Sequence, residues 1–408
     1  MAPHKKPEPV KIDPAAGTDA IGVAHRSSEG GTQSTETAIL DRARAVCDRV
    51  LGPNAQKADQ ASGPLTENFA ALAEAGLLGL AIPKRYAGLN ASAATQRQYT
   101  EILAAACGVT TFVQAQHHGA SRMIAACDNE VLKSTLLPML ASGFRMCGIS
   151  FAHLRRPGPP ALRANPVKGG IELNGLAPWV TGWGLMDQMV FGATLPDGTF
   201  VYVWTPADRN KYSSLFGNQE LRPGSGGLMA ASSPIPLCTM NASATVELTL
   251  ADWFVPEGHI LNRSDIETMR RNDSIGVLSA TAMPLGCAFA GCKIIADTAR
   301  RRSIPAVERA ATAFEAEYTY LRNEVETWTE RTGEPDFFKT GVSLRAWCIE
   351  FALRTAHAAI TAVSGSANAL SHPAQRLIRE AMFYTVQAQT HEVMDATLAR
   401  LEHRGGAL

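Results

Sequence analysis

Residues 243–256 read SATVELTLADWFVP. The run is dense in β-branched and aromatic residues and is bounded by turn-forming residues, which predicts a strand. Upstream lie shorter runs of the same kind: MCGISFA (146–152), GGIELNG (169–175), MDQMVFGATL (186–195) and TFVYVWTP (199–206), divided by Gly, Pro, Asp and Asn. Working outward, both flanks change character. Residues 37–52, 66–80, 96–107 and 113–126 carry apolar residues at helical spacing, the first closed by a stop signal at Gly52-Pro53. Beyond 258, four long helical patterns follow: 274–302, 305–333, 341–365 and about 373–401. A sheet between two helical stretches predicts an α+β chain. It has an all-α N-terminal domain (37–145), an antiparallel β middle domain (146–257) and a C-terminal antiparallel four-helix bundle (258–408). Residues 1–36 are rich in Pro, Gly, Ser, Thr and charge, and read as a disordered tail.

The chain has 408 residues with 38 basic and 38 acidic side chains, so no global field favours nucleic acid or an anionic membrane. Eight scattered cysteines without a CxxC pair fit reduced, mostly buried thiols. No apolar run reaches the roughly 18–20 residues of a membrane helix. The start lacks a signal-peptide core, and its acids and lack of arginine in the first twenty residues argue against a transit peptide. The expectation is a cytoplasmic protein. No His, Cys, Asp and Glu grouping has metal-ligand spacing.

Four motifs in order carry a likeness. They are LAEAGLLGLAIPKRYAGL (72–89), LNGLAPWVTGW (173–183), ASATVELTLADWFVP (242–256) and HPAQRLIREA (372–381). Together with the element order they make the chain resemble the acyl-CoA dehydrogenase superfamily over nearly everything but the tail. The resemblance implies a flavin between the β-domain and the bundle: FAD, or else FMN or a reduced flavin supplied by a reductase. It implies a small-molecule substrate on CoA or an acyl-carrier protein, an electron acceptor or flavin reductase as partner, and a homodimer or homotetramer. It points to Trp179, Val180, Thr181 and Gly182, to Ser364 and Gly365, and to Thr390 as cofactor contacts. The residue chemistry agrees in part. An indole packs on a flat apolar ring, a hydroxyl and backbone N–H groups address its polar edge, and Trp179 and Thr181 alternate onto one strand face. The plainer alternative is a Trp–Thr pair filling a β core.

The departures are as informative. The family's usual base falls nine residues after the second arginine of the last motif, here Arg379, and that position is Ala388, followed by Gln389 and Thr390. A smaller branch places its base where this chain has Gly276. An alanine methyl cannot accept a proton. The loop usually contacting flavin and substrate reads FAHLRRPG (151–158), and the segments usually near the cofactor's far end read RRRSIP (300–305) and SGSA (364–367). A second branch, the two-component flavin monooxygenases, holds a histidine at the position of Gln387 and often another near His117 and His118. Candidate catalytic residues are therefore His117 or His118, Gln387, Gln389 and, as a displaced base one helical turn beyond Ala388, Glu392. For the histidines the alternative is one surface and one half-buried side chain; for Glu392, an exposed acid. Arg155 and Arg156 are candidate substrate ligands through their planar forks, or else a solvated charge pair. GSGG (224–227) reads as a flexible β-domain loop rather than a phosphate cradle. Three functions follow from the resemblance: an oxidoreductase on an acyl thioester or similar activated CH–CH substrate without the usual acid, a reduced-flavin monooxygenase, or a non-catalytic relative that binds flavin or an acyl ligand.

Overall fold

The computed structural model describes residues 30–60, 63–207 and 227–402. Most of the tail, and residues 224–226 of the glycine-rich loop, therefore lie outside the described residues. The N-terminal domain runs α1 (Gly30–Val46), α2 (Gly52–Gln60), α3 (Gly63–Glu74), α4 (Ala93–Ala106), α5 (Gly108–Ala126) and α6 (Glu130–Ser142). Local chemistry starts and stops these helices. Ser92 Oγ accepts from the Thr95 amide at 3.2 Å and Asn129 Oδ1 from the Leu132 amide at 3.0 Å, each satisfying a free N–H of the first turn. α6 ends on Gly143 at φ +76°. Gly52-Pro53 does not stop the chain, contrary to the sequence reading. A π-helical turn (Cys47–Leu51) leads straight into α2. Proline needs no hydrogen-bond partner in a first turn, so here it sits at a start.

Eight strands follow among the described residues: β1 (Cys147–Ser150), β2 (Leu162–Val167), β3 (Gly170–Val180), β4 (Gln188–Thr194), β5 (Phe200–Pro206), β6 (Leu228–Ala231), β7 (Val246–Pro256) and β8 (Ile260–Ser264). Their order is β6-β7-β3-β2-β4-β5-β8, with β1 beside β4. In β7, Val246, Leu248 and Leu250 are buried while Glu247 and Thr249 face out, the period-2 signature of a half-buried strand. Pairing is antiparallel except along β4, where β1 and one residue of β2 lie parallel. The sheet also runs past residue 257, because β8 pairs with β5 before the chain turns helical.

The C-terminal domain comprises α7 (Ile266–Ile275), α8 (Ala282–Arg302), α9 (Pro305–Thr329), α10 (Phe337–Val363), α11 (Pro373–Tyr384) and α12 (His391–Glu402). By length and composition α8 could cross a membrane, unlike the sequence expectation, yet it is mostly buried as the core helix of the bundle. It lies so close to α4 that a Cβ on Gly286 would stand 2.3 Å from the Glu101 carbonyl oxygen. The fourth helix of the sequence reading is broken in two, and residues 385–390 form an irregular link.

The three domains meet at charges of the HPAQRLIREA segment. Arg376 and Glu380, one turn apart on α11, pair at 2.6 Å with both side chains buried. Arg376 Nε also donates to Gln56 on α2 at 2.9 Å, and the Gly108 amide at the start of α5 donates to Glu380. Arg379 pairs with buried Asp59 of α2 and donates to the Cys238 carbonyl of the β-domain at 3.3 Å. Asp59 in turn accepts from Thr239 at 2.8 Å. Burial lifts the Glu380 carboxyl above its ordinary range and works against the charge on Arg376, but the adjacent carboxylate outweighs that and holds the guanidinium firmly protonated. Removing one partner strands a buried charge. Glu380→Ala should therefore lose about 3–5 kcal/mol of stability in urea unfolding, far more than an exposed control such as Glu392→Ala.

Candidate active site

The WVTG segment ends β3. A β-bulge between Ala177 and Val180 interrupts its pairing with β7. The bulge turns Trp179 outward, 47% exposed, while Val180 stays in the core opposite Val246 and Thr181, just past the strand, is buried. Thr181 follows the last residue of the strand and is buried where Trp179 is exposed. Thr181 Oγ1 lies 3.3 Å from Thr245 Oγ1, which lies 2.8 Å from Ser243 Oγ, a chain of three buried hydroxyls. The Gly182 amide donates to the Ser243 carbonyl at 2.7 Å. Gly182 has φ +85°, and a Cβ there would stand 2.9 Å from Met186, so the tight turn needs glycine. Val113 of α5 approaches the same position, and its neighbour Phe112 packs edge-on against Phe383 of α11 at 4.8 Å. One helix thus lies against both the WVTG turn and the end of α11.

The link 385–390 follows directly. Ala388 is exposed and left-handed, φ +49°. The buried Arg345 of α10 holds the break open: its Nη2 donates to the carbonyls of Gln387 at 3.1 Å and Ala388 at 2.7 Å. Burial pushes its pKa down to about 10, with Asp273 opposing. Gln387 contributes its backbone to this contact. Gln389 is exposed, its side chain turned back to the Thr385 carbonyl at 2.8 Å. Thr390 lies at the start of α12, its hydroxyl 3.4 Å from the Val393 amide. Glu392 is exposed in the first turn of α12. It does not share a helical face with Ala388, because the helix is interrupted between them.

The remaining candidates are dispersed. Both histidines are buried, which the surface-plus-half-buried alternative did not foresee. His117 accepts from the Cys147 amide through Nδ1 at 3.3 Å and meets the Leu140 carbonyl through Nε2 at 3.2 Å, tying α5 to α6 and β1. His118 packs near Tyr99, its Nε2 without a hydrogen bond. Burial pushes His117 down to about 4, and burial with the neighbouring His117 and Arg122 pushes His118 further. Arg155 is engaged in a bidentate pair with Asp273 of α7, both contacts 2.7 Å, while Arg156 is exposed. Ser364 and Gly365 follow the far end of α10, about 28 Å along the helix from Arg345, on the side where the resemblance puts the cofactor's far end rather than its ring. Among the described residues no group of three His, Cys, Asp or Glu side chains could hold a metal. All eight cysteines are free, and only Cys238 is exposed.

Sequence reasoning missed Arg345, Asp273, Ser243 and Thr245. Arg345 had a signal: a charged residue within the apolar stripe of Leu344, Cys348, Ile349 and Ala352 on α10. The others become visible only when separate elements meet.

Residues 33–144 match the family model described as acyl-CoA dehydrogenase, N-terminal domain. The chain superposes on butyryl-CoA dehydrogenase from Megasphaera elsdenii with a TM-score of 0.74 at 16% identity, covering 93% of this chain and 100% of that one. The chain has the acyl-CoA dehydrogenase fold. Glutaryl-CoA dehydrogenase from Mycobacterium smegmatis is as similar: TM-score 0.73, 20% identity, coverage 93% and 98%. A dibenzothiophene monooxygenase from Paenibacillus sp. A11-2 follows at 0.70, with 16% identity and coverage of 91% and 98%. The acyl-CoA dehydrogenase fold therefore accommodates both reaction types among the proteins this chain resembles.

The buried histidine gives a pH test. Native His117 stays neutral down to about pH 4, whereas in the unfolded chain it protonates near 6.5. The unfolded state binds more protons in between, so stability falls as pH drops through that window, by about 2–3 kcal/mol from this residue. Urea unfolding at pH 7 and pH 4.5 should show a smaller loss for His117→Gln, which keeps a donor and an acceptor but does not titrate.

Proposed function

We propose that the protein is a flavin-dependent oxidoreductase acting on an acyl thioester or a similar activated CH–CH substrate, without the family's usual acid. The observation that carries this reading is the outward-turned Trp179 beside the glycine turn and hydroxyl chain at the end of β3. The exposed indole offers a flat apolar face on which a flat ring can pack. Trp179 would pack against the ring, and the Thr181 hydroxyl and nearby backbone would address its edge. A bound flavin supplies the acceptor for a hydride. The residues present fit that role in shape and polarity, with one difference: the Gly182 amide already serves the Ser243 carbonyl and does not contribute.

At the link, Ala388 offers a methyl where a carboxylate would act, and Glu392 does not reach back to replace it. The substrate this site suits is one whose proton is acidic enough to leave to water or to a weak base. Reaction as a reduced-flavin monooxygenase is the second reading, favoured by the likeness to the dibenzothiophene enzyme. The bonding of both His117 nitrogens to backbone argues against a role for that residue at an oxygen site.

The visible spectrum of the purified protein, with its extracted cofactor identified, is the direct test. A yellow holoprotein, or quenching of Trp179 fluorescence on flavin addition, is the expected result; Trp179→Ala should weaken flavin binding by about tenfold or more. A protein that binds neither oxidised nor reduced flavin would overturn the reading. Ala388→Glu should then gain anaerobic flavin bleaching by acyl-CoA if the rest of the dehydrogenation site is in place.

A further inference from the structure

Arg345 is an unusual arginine. Its side chain is 5% exposed, and no carboxylate lies within ion-pair distance among the described residues. Nη2 serves the carbonyls of Gln387 and Ala388, Nε is sealed without a partner, and Nη1 makes no hydrogen bond yet is not sealed from solvent. Carbonyl capping thus uses one nitrogen of three. A buried cation without a counter-charge is costly, and such groups persist where a ligand completes them. The acid whose field reaches Arg345 is Asp273, and both its oxygens are held by Arg155. Arg345 and Arg155 therefore both feel the Asp273 carboxylate, but only Arg155 touches it.

We propose that Arg345, with the Arg155–Asp273 pair beside it, forms a recognition site for an oxyanion of the ligand, a carboxylate or a phosphate. The anion completes the Arg345 fork at Nη1 beneath the broken helix. The inference deepens the preceding reading by giving the substrate a negatively charged group. It rests on that reading only for the identity of the site, because anion binding can be measured without flavin.

The test is isothermal titration calorimetry on the full chain at fixed ionic strength, with malonate, inorganic phosphate and neutral malonamide as probes. Malonate or phosphate should bind and malonamide should not; whichever anion binds tighter distinguishes a carboxylate from a phosphate source. Arg345→Lys keeps the charge but loses the planar fork, and should weaken binding about tenfold. Asp273→Asn removes the competing carboxylate and should tighten binding about threefold or more, which keeps the proposal decidable if the Arg345 variant does not fold. Absence of binding by both anions, equal affinity in wild type and Arg345→Lys, or an unchanged affinity in Asp273→Asn would overturn it. Failure here with flavin still bound would leave the cofactor reading standing, and the reverse result would separate them equally well.

Discussion

The architecture depends on two ion pairs that share one turn of α11. Arg376–Glu380 and Arg379–Asp59 sit where the helical domain, the sheet and the bundle touch. Each is shielded from water, so each is strong only while every partner is in place. The Gly108 amide reaching Glu380 adds the positive end of α5 to the same junction. A hydrophobic contact tolerates sliding; a buried charge with a fixed set of donors does not. The junction ties α2, the start of α5 and the Cys238 segment of the β-domain to one turn of α11.

On that frame the site is made of two local irregularities. A bulge turns one indole out of a strand that would otherwise bury it. A left-handed alanine and an arginine from a neighbouring helix interrupt what would otherwise be a straight helix. Both irregularities cost stability locally, and both expose groups at the boundary between domains.

Much of the fold was legible because strands and amphipathic helices are written in local periodicity. The β-rich run at 243–256 and the helical spacing of residues 37–52 and 341–365 need no distant partner to be read. What escaped the sequence depends on partners far along the chain. The parallel pairing of β1 with β4 joins segments some forty residues apart. The break after Tyr384 carries no Gly or Pro within residues 385–390, and its carbonyls are capped from another helix by Arg345, so a continuous helix was the natural reading. Of the site, Trp179, Thr181 and Gly182 could be named from one short motif. The bulge between Ala177 and Val180 could not, because it arises from register with β7. Arg155 was legible as a fork, but its carboxylate lies 118 residues away.

The position of α5 has a mechanical consequence. One end of this helix is anchored through its first amide to Glu380, and its flank touches both the β3 turn and Phe383. The β3 turn and the end of α11 are therefore braced by a common strut, so a displacement of one is resisted by the contacts of the other.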